Sequence, residues 1–396
     1  MHGRQGRGQR NNYILRGSGP ARKRKRDKRR ASLLVRRAVA ICAALAIITG
    51  IVNLIALIPK RDANAPRRLW FSPGEPARAF GSDLLFMSDG MISCVGANGG
   101  LRWQHPLVGG NFHFYSNAGF VVAWSGQQIF VIDKSGATLV SARITENIQF
   151  ARVGATYVAV LAGDGDKQYI RITDHLGNEI ERIADIGNMT MLDIGFFDNQ
   201  DTRMWIYGMD INGAEPLTVF STYDPRGRRS TGNVSIADQL VYNVYWHNRW
   251  LMLAGTNTLT AYDYNCTAVA DRAPTIVYGW QQIQSRAVRN DTLALFRRTE
   301  HGADAGMTRA LRLIGASTDT LLRLPVPAVD ALLGSRGVYA FTRDKVYVCA
   351  YGSTVFTPHE LHMPLDYVIA TLDDDVAVFA SGAEVYMIKL PVPKKQ

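Results

Sequence analysis

The chain has 396 residues, with 45 Lys and Arg against 34 Asp and Glu and a formal net charge of +11. Four cysteines and 47% hydrophobic residues exclude both a disulfide scaffold and a wholly disordered chain. The charge is local: residues 1–37 hold 14 Lys and Arg against Asp27 alone, and the remainder holds 31 basic and 33 acidic residues. The isoelectric point near 9.5 therefore describes the tail. It gives no electrostatic support to nucleic-acid binding by residues 38–396.

Residues 1–37 read as a disordered basic tail, too poor in apolar side chains to fold. Arg22, Lys23, Arg24, Lys25, Arg26, Lys28, Arg29 and Arg30 are candidate contacts to anionic lipid, each adding about 1 kcal/mol near a membrane surface. The plainer reading is that they only set topology. Ala38 to Ile58 is a charge-free apolar run of 21 residues. At about 1.5 Å per residue it spans roughly 31 Å, the thickness of a hydrocarbon core. Ala63-Asn64-Ala65 has the form of a cleavage site. However, the apolar run is longer than a signal peptide's, and Pro66 follows directly, so an uncleaved signal-anchor is expected. The basic tail then holds the N-terminus in the cytoplasm and the C-terminal mass outside. The bilayer is thus the expected partner of residues 38–58.

Residues 59–66 form a short polar linker and 391–396 a C-terminal tail. Between them, from Arg67 to Leu390, the chain is a succession of short β runs broken by Gly, Asn and Asp turns. FVVAW (120–124), QIFVID (128–133), YVAVLAG (157–163), KVYVCA (345–350) and EVYMIKL (384–390) are examples. No stretch keeps a helical period. A marker recurs in which a strand ends in Asp-x-x-Gly: Asp133 to Gly136, Asp174 to Gly177 and Asp224 to Gly227. Degenerate copies begin at Gly96, Asp263, Gly315 and Cys349, and the last equivalent strand ends near Lys389. The mean spacing of about 42 residues, with four strands per unit, is that of a propeller blade. The fold class is therefore all-β, a β-propeller of eight four-stranded blades, with seven the alternative. The last unit has only three strands. Residues 67–72 are expected to complete it and close the ring, which removes its open sheet edges.

The strand-turn pattern, with Gly99-Gly-Leu-Arg-Trp103 closing the first unit, resembles the pyrroloquinoline-quinone-like propeller repeats. That family's tryptophan-docking motif has the form A-x-D-x-x-T-G-x-x-x-W. Gly99 and Trp103 match it, while Val95 stands in place of the Asp and Asn98 in place of the Thr. The whole chain also resembles bacterial membrane-anchored propellers of WD40-like repeat type with one N-terminal helix. The resemblance implies the architecture and carries no activity with it.

Signals of catalysis are weak. There is no P-loop, HExxH or GxSxG, and the seven Trp occupy no regular place in the repeat. His359 and His362, Asp373-Asp374-Asp375, and Asp164-Gly-Asp166 read as turns before metal sites. Neither a cofactor nor a metal is expected. Cys94, Cys266 and Cys349 are expected as buried free thiols. Aligning the heads of the inner strands brings Asn111, Asn147, Asn188, Gln239 and Gln282 to one position, with Asp366 similar. They are candidates for a polar ring at the channel mouth. The plainer alternative is that amides start strands well and satisfy loop backbone. The aromatic stretch Tyr242 to Trp250, with Tyr278 and Trp280, is a second candidate surface, although packing between blades accounts for it better. The expected function is a binding or scaffolding module for envelope proteins, peptides or glycans. The alternatives are a propeller enzyme, either a quinone-dependent oxidoreductase or a hydrolase, and an ectodomain sensor.

Overall fold

The structure is a computed structural model that describes residues 47–50 and 65–393, apart from 185, 187, 188, 198–201, 248, 249, 303, 304 and 374. The chain divides into two units, Met1–Ala63 and Asn64–Gln396. In the first, Ile47 to Gly50 are helical. No helix among the described residues is long and apolar enough to cross a membrane. Most of the span 38–58, and the candidate lipid contacts at 22–30, lie outside the described residues, as does Asn188.

The second unit is eight four-stranded antiparallel sheets. Blade 1 runs through Ala77–Phe80, Asp83–Ser88, Met91–Gly96 and Leu101–Pro106. Blades 2 to 7 follow in the same consecutive order, with inner strands at His113–Ser116, Ile148–Val153, Thr190–Phe196, Val241–His247, Gln281–Val288 and Asp330–Leu333. Blade 8 takes Tyr367–Leu372, Val376–Ser381 and Glu384–Lys389 from the C-terminal end. Its outer strand is Arg67–Leu69, paired antiparallel to Glu384–Lys389 with Leu69 opposite Val385. The ring thus closes as the three-stranded last unit requires.

Why these segments form blades is visible in their burial. The second strand of each blade is buried on both faces over most of its length, as in LLFM at 84–87 and VAVL at 158–161, whereas third strands are mixed and alternate in Leu217–Asp224. Outer strands such as Thr138–Arg143 are largely exposed. The buried residues fall into eight apolar clusters, each between two neighbouring blades. Leu85, Ile92 and Cys94 meet Val121 and Ala123 between blades 1 and 2. Leu69 and Phe71 meet Leu84, Phe86 and Val378 between blades 8 and 1. The three thiols are buried and unpaired. Burial pushes that of Cys94 up to about 12.

The Asp-x-x-Gly turns do what their chemistry requires. Asp133 accepts the backbone N–H groups of Ser135 and Ala137, and Asp174 those of Leu176 and Asn178. Gly136 takes φ 88° and Gly177 φ 85°, a region open to glycine at no steric cost. The third copy differs: there Arg228 rather than Gly227 carries the positive φ, at 51°. Trp103 lies flat on the turn of the next blade. A Cβ on Gly136 would stand 2.7 Å from its ring, and its indole N–H donates to the Lys134 carbonyl at 3.0 Å.

The closing strand sets a prediction. Leu69 is 3% exposed and fills the seam between blades 8 and 1, whereas Arg68 makes an exposed ion pair with Glu384. Leu69→Ala should lower the unfolding free energy by about 3 kcal/mol, and Arg68→Ala by less than about 1 kcal/mol. Urea denaturation measures both, and equal effects would mean that the seam does not hold the ring.

Candidate functional site

Inner strands leave their packed partners on one side only, so their side chains are free to carry function. Five of the eight contain a bulge near the head, at Gln149, Leu192, Tyr242, Ile283 and Ile369. A bulge re-aims the side chains around it, and it fixes the structural register. Against it, Asn147 stands two residues before, Gln239 and Asp366 three before, and Gln282 one before. The alignment of strand heads in the sequence therefore does not coincide with the register of the strands.

These residues also have different surroundings. Asn111 and Asn147 are exposed. Gln239 spends its amide inside its own blade, accepting from the Thr258 N–H at 2.9 Å and donating to the Thr258 hydroxyl at 2.9 Å. Asp366 braces its blade in the same way, accepting from the Gly382 N–H at 2.7 Å. Gln282 is 6% exposed, and neither polar atom of its side chain has a partner among the described residues. Asp330, half-buried, accepts from the Val368 N–H at 3.0 Å and ties blade 7 to blade 8. Its burial raises its carboxyl above the usual range. Trp280 packs half-buried on the cluster between blades 5 and 6 with Tyr242, Tyr245 and Trp250. Packing thus accounts for most of the aromatic stretch; Tyr278 is exposed.

Sequence reasoning missed a different register. Arg78, Tyr115, Arg152, Tyr245, Arg286 and Leu332 each pair with the residue seven positions on, namely Leu85, Val122, Ala159, Met252, Leu293 and Tyr339. They therefore stand at one level of their inner strands. In blade 4 the third residue after the bulge is Gly195, opposite Trp205. A Cβ there would fall 2.0 Å from the Trp205 ring, so the indole occupies the space that a side chain takes in other blades.

Residues of this register lean onto the next blade. The Arg78 guanidinium carbon lies 4.0 Å from the Tyr115 ring centroid, and that of Arg152 4.6 Å from the same ring. Arg152 in turn reaches Asp193 of blade 4 at 2.7 Å. Burial raises the Asp193 carboxyl despite both guanidiniums. Arg286 donates to the Asp373 carbonyl at 3.0 Å, beyond blade 7.

Tyr115, Gly195, Tyr245 and Arg286 line one cavity of about 500 Å³, together with Phe196, Trp246 and Asp291. Blades 2 and 6 are opposite each other in a ring of eight, so this cavity lies on the axis. It lies at the end of the inner strands that carries the first hairpin of each blade, as Arg289 and Asn290 show. A second cavity of about 360 Å³, lined by Asn117, Phe120 and Arg152, shares Tyr115, Gly195, Phe196 and Phe197 with it. No cluster of three His, Cys, Asp or Glu placed to hold a metal occurs among the described residues.

No family model matches this chain, and no curated protein does. Solved structures do. The C-terminal WD40 domain of Sif2 superposes with a TM-score of 0.56 at 12% identity, over 83% of this chain and 99% of that domain. BamB from Moraxella catarrhalis gives 0.50 at 12% identity, over 84% of this chain and 98% of that one. At such identities the likeness is one of fold. The chain is an eight-bladed β-propeller of the same broad architecture as WD40 and BamB propellers.

Behind the axial cavity, His247 is 1% exposed, with Nδ1 at 3.1 Å from the Thr292 carbonyl and 3.4 Å from Asp291. Burial lowers its pKa from 6.5, against the opposing pull of Asp291. Between the lowered folded value and the unfolded 6.5, the unfolded chain binds the proton and the folded one does not. Stability is therefore present above pH 6.5 and lost as pH falls below it. His105 and His175 shift in the same direction, so part of the slope should remain when His247 is replaced. The loss between pH 7.5 and 5.5 should be smaller in His247→Gln than in the parent chain. Urea titrations at the two pH values measure it, and an unchanged difference would refute a neutral buried His247.

Proposed function

We propose that this chain is a single-pass membrane protein whose propeller stands outside the cytoplasm and acts as a binding or scaffolding module. Its occupant is an extended segment of another protein, held in the axial cavity. The observation that carries this reading is the convergence of side chains from four blades on one space on the ring axis. Those side chains include two guanidiniums, two phenols, two indoles and an amide. They are suited to hydrogen bonding and stacking along a polymer, and a rigid closed ring keeps them in place without ordering cost on binding. The charge-free span 38–58 and the basic tail before it support the anchored topology.

Two experiments test this. A photo-crosslinking residue at Ala287, on the cavity wall, should give an adduct with another protein in intact membranes. The same residue at Arg143, on the outer strand of blade 2, should not. Placing the crosslinker at Asn290 instead and adding Ala287→Trp to fill the cavity should reduce the adduct at least about tenfold, since a filled pocket removes the desolvated anchors of binding. Equal adducts at 287 and 143 would refute an axial site. Protease added to right-side-out membrane vesicles should remove the propeller and spare the basic tail. Loss of the tail alone would invert the topology.

A further inference from the structure

We propose that Arg78, Tyr115 and Arg152 form an anion site that takes the carboxylates of an acidic peptide segment entering the axial cavity. This rests on the binding reading above and names the chemistry of its occupant.

Two guanidiniums are held against one tyrosine ring, 4.0 and 4.6 Å from its centroid. Their carbons are thus no further apart than the sum of those distances, close enough for one short acidic segment to reach both. The chain itself supplies one carboxylate, and it is bound to one of the two. Arg152 gives Nη2 to Asp193 at 2.7 Å and Nη1 to the Ala151 carbonyl at 3.0 Å. Its Nε is buried with no partner among the described residues. Arg78 is exposed and forms no ion pair among the described residues. A donor fork and a half-used one therefore stand side by side, with Tyr115 fixing both.

Position supplies the second line of reasoning. Tyr115 borders both the axial cavity and its smaller neighbour, and Arg152 borders the neighbour. A carboxylate entering along the axis meets the Arg152 guanidinium in a partly dehydrated setting, where charge-assisted hydrogen bonds are strongest, with Arg78 exposed beside it on the same tyrosine ring. The opposite wall carries Tyr245 and Trp246, which offer faces for apolar side chains between the acids. About 500 Å³ holds a few residues of extended chain and no folded domain.

The probe is octaglutamate, with octaglutamine and inorganic phosphate as comparisons. The basic tail also attracts polyanions, so the signal must come from the cavity. An environment-sensitive dye on Ala287→Cys in the full detergent-solubilised chain provides it. Octaglutamate should bind and octaglutamine should not, with affinity falling as salt rises. Arg78→Gln and Arg152→Lys should each weaken binding about tenfold; Arg152→Lys keeps a cation beside Asp193, so the fold is spared. Arg143→Gln should leave binding unchanged. Octaglutamate binding indifferent to both cavity variants, or no octaglutamate binding at all, overturns the anion site. Displacement of octaglutamate by equimolar inorganic phosphate overturns the carboxylate assignment. Octaglutamine binding that is insensitive to Arg78→Gln removes the anion site and leaves the axial binding site intact. A missing adduct at Ala287 in membranes, by contrast, removes the binding reading and leaves the octaglutamate titration standing.

Discussion

Every blade of this propeller is stable only because it is covered on both faces by its neighbours. The second strand of a blade is apolar on both sides, a pattern that water does not tolerate in a lone sheet. Eight blades need eight interblade layers, and the eighth exists only if the ring closes. Arg67–Leu69 supplies that closure, since Leu69 and Phe71 pack into the layer between blades 8 and 1. Arg67 adds a hydrogen bond to the Asn98 carbonyl of blade 1. Three residues of strand at the N-terminal end of the domain thus seal the last interblade layer.

This division of labour leaves the inner strands unusual freedom. The middle strands carry the packing, so an inner strand satisfies its backbone against one partner and tolerates polar or charged residues along its length. Bulges in five of them then turn those side chains. In blade 4 the same position is Gly195, and Trp205 fills its place. The axial cavity is shaped by such local substitutions on a uniform frame.

Much of the frame was legible in the sequence. The Asp-x-x-Gly markers are local chemistry, with Asp capping a turn and Gly taking positive φ, so they survive in a single chain. Their spacing gave the blade number, and the missing strand of the last unit gave the closure. Trp103 was legible as a docking residue; its seat on Gly136 of the next blade was not, because that contact joins residues far apart in the chain. The amides were misaligned for a related reason. A bulge sets two residues opposite one and shifts the alternation beyond it, and strand heads aligned in sequence take no account of where it falls, so Asn147, Gln239 and Gln282 appear equivalent in sequence and stand at different distances from the bulge. Asn111 precedes a strand without one. The Arg78, Tyr115 and Arg152 register had a signal that went unread: the three recur 37 residues apart, one blade length. Their residue types differ, and a search for a repeated residue passes over a repeated position.

The distribution of charge shows why such a position matters. Beyond the tail the chain is slightly acidic, with 33 acids against 31 bases, and its overall balance says nothing of a preference for anions. Net charge is a sum over a surface whose far parts are screened within about 8 Å at physiological salt. A ligand on the axis feels only the groups around it. The walls of the axial cavity and its neighbour carry Arg152, Arg286 and Arg289 against Asp291, Asp193 is paired with Arg152, and burial weakens the hold of Asp193 on its charge. On the proposed reading, an acidic partner would meet a slightly acidic exterior and a centre richer in guanidiniums. Such an arrangement would favour partners whose acids sit on a segment narrow enough to enter over acidic proteins that present only a broad surface.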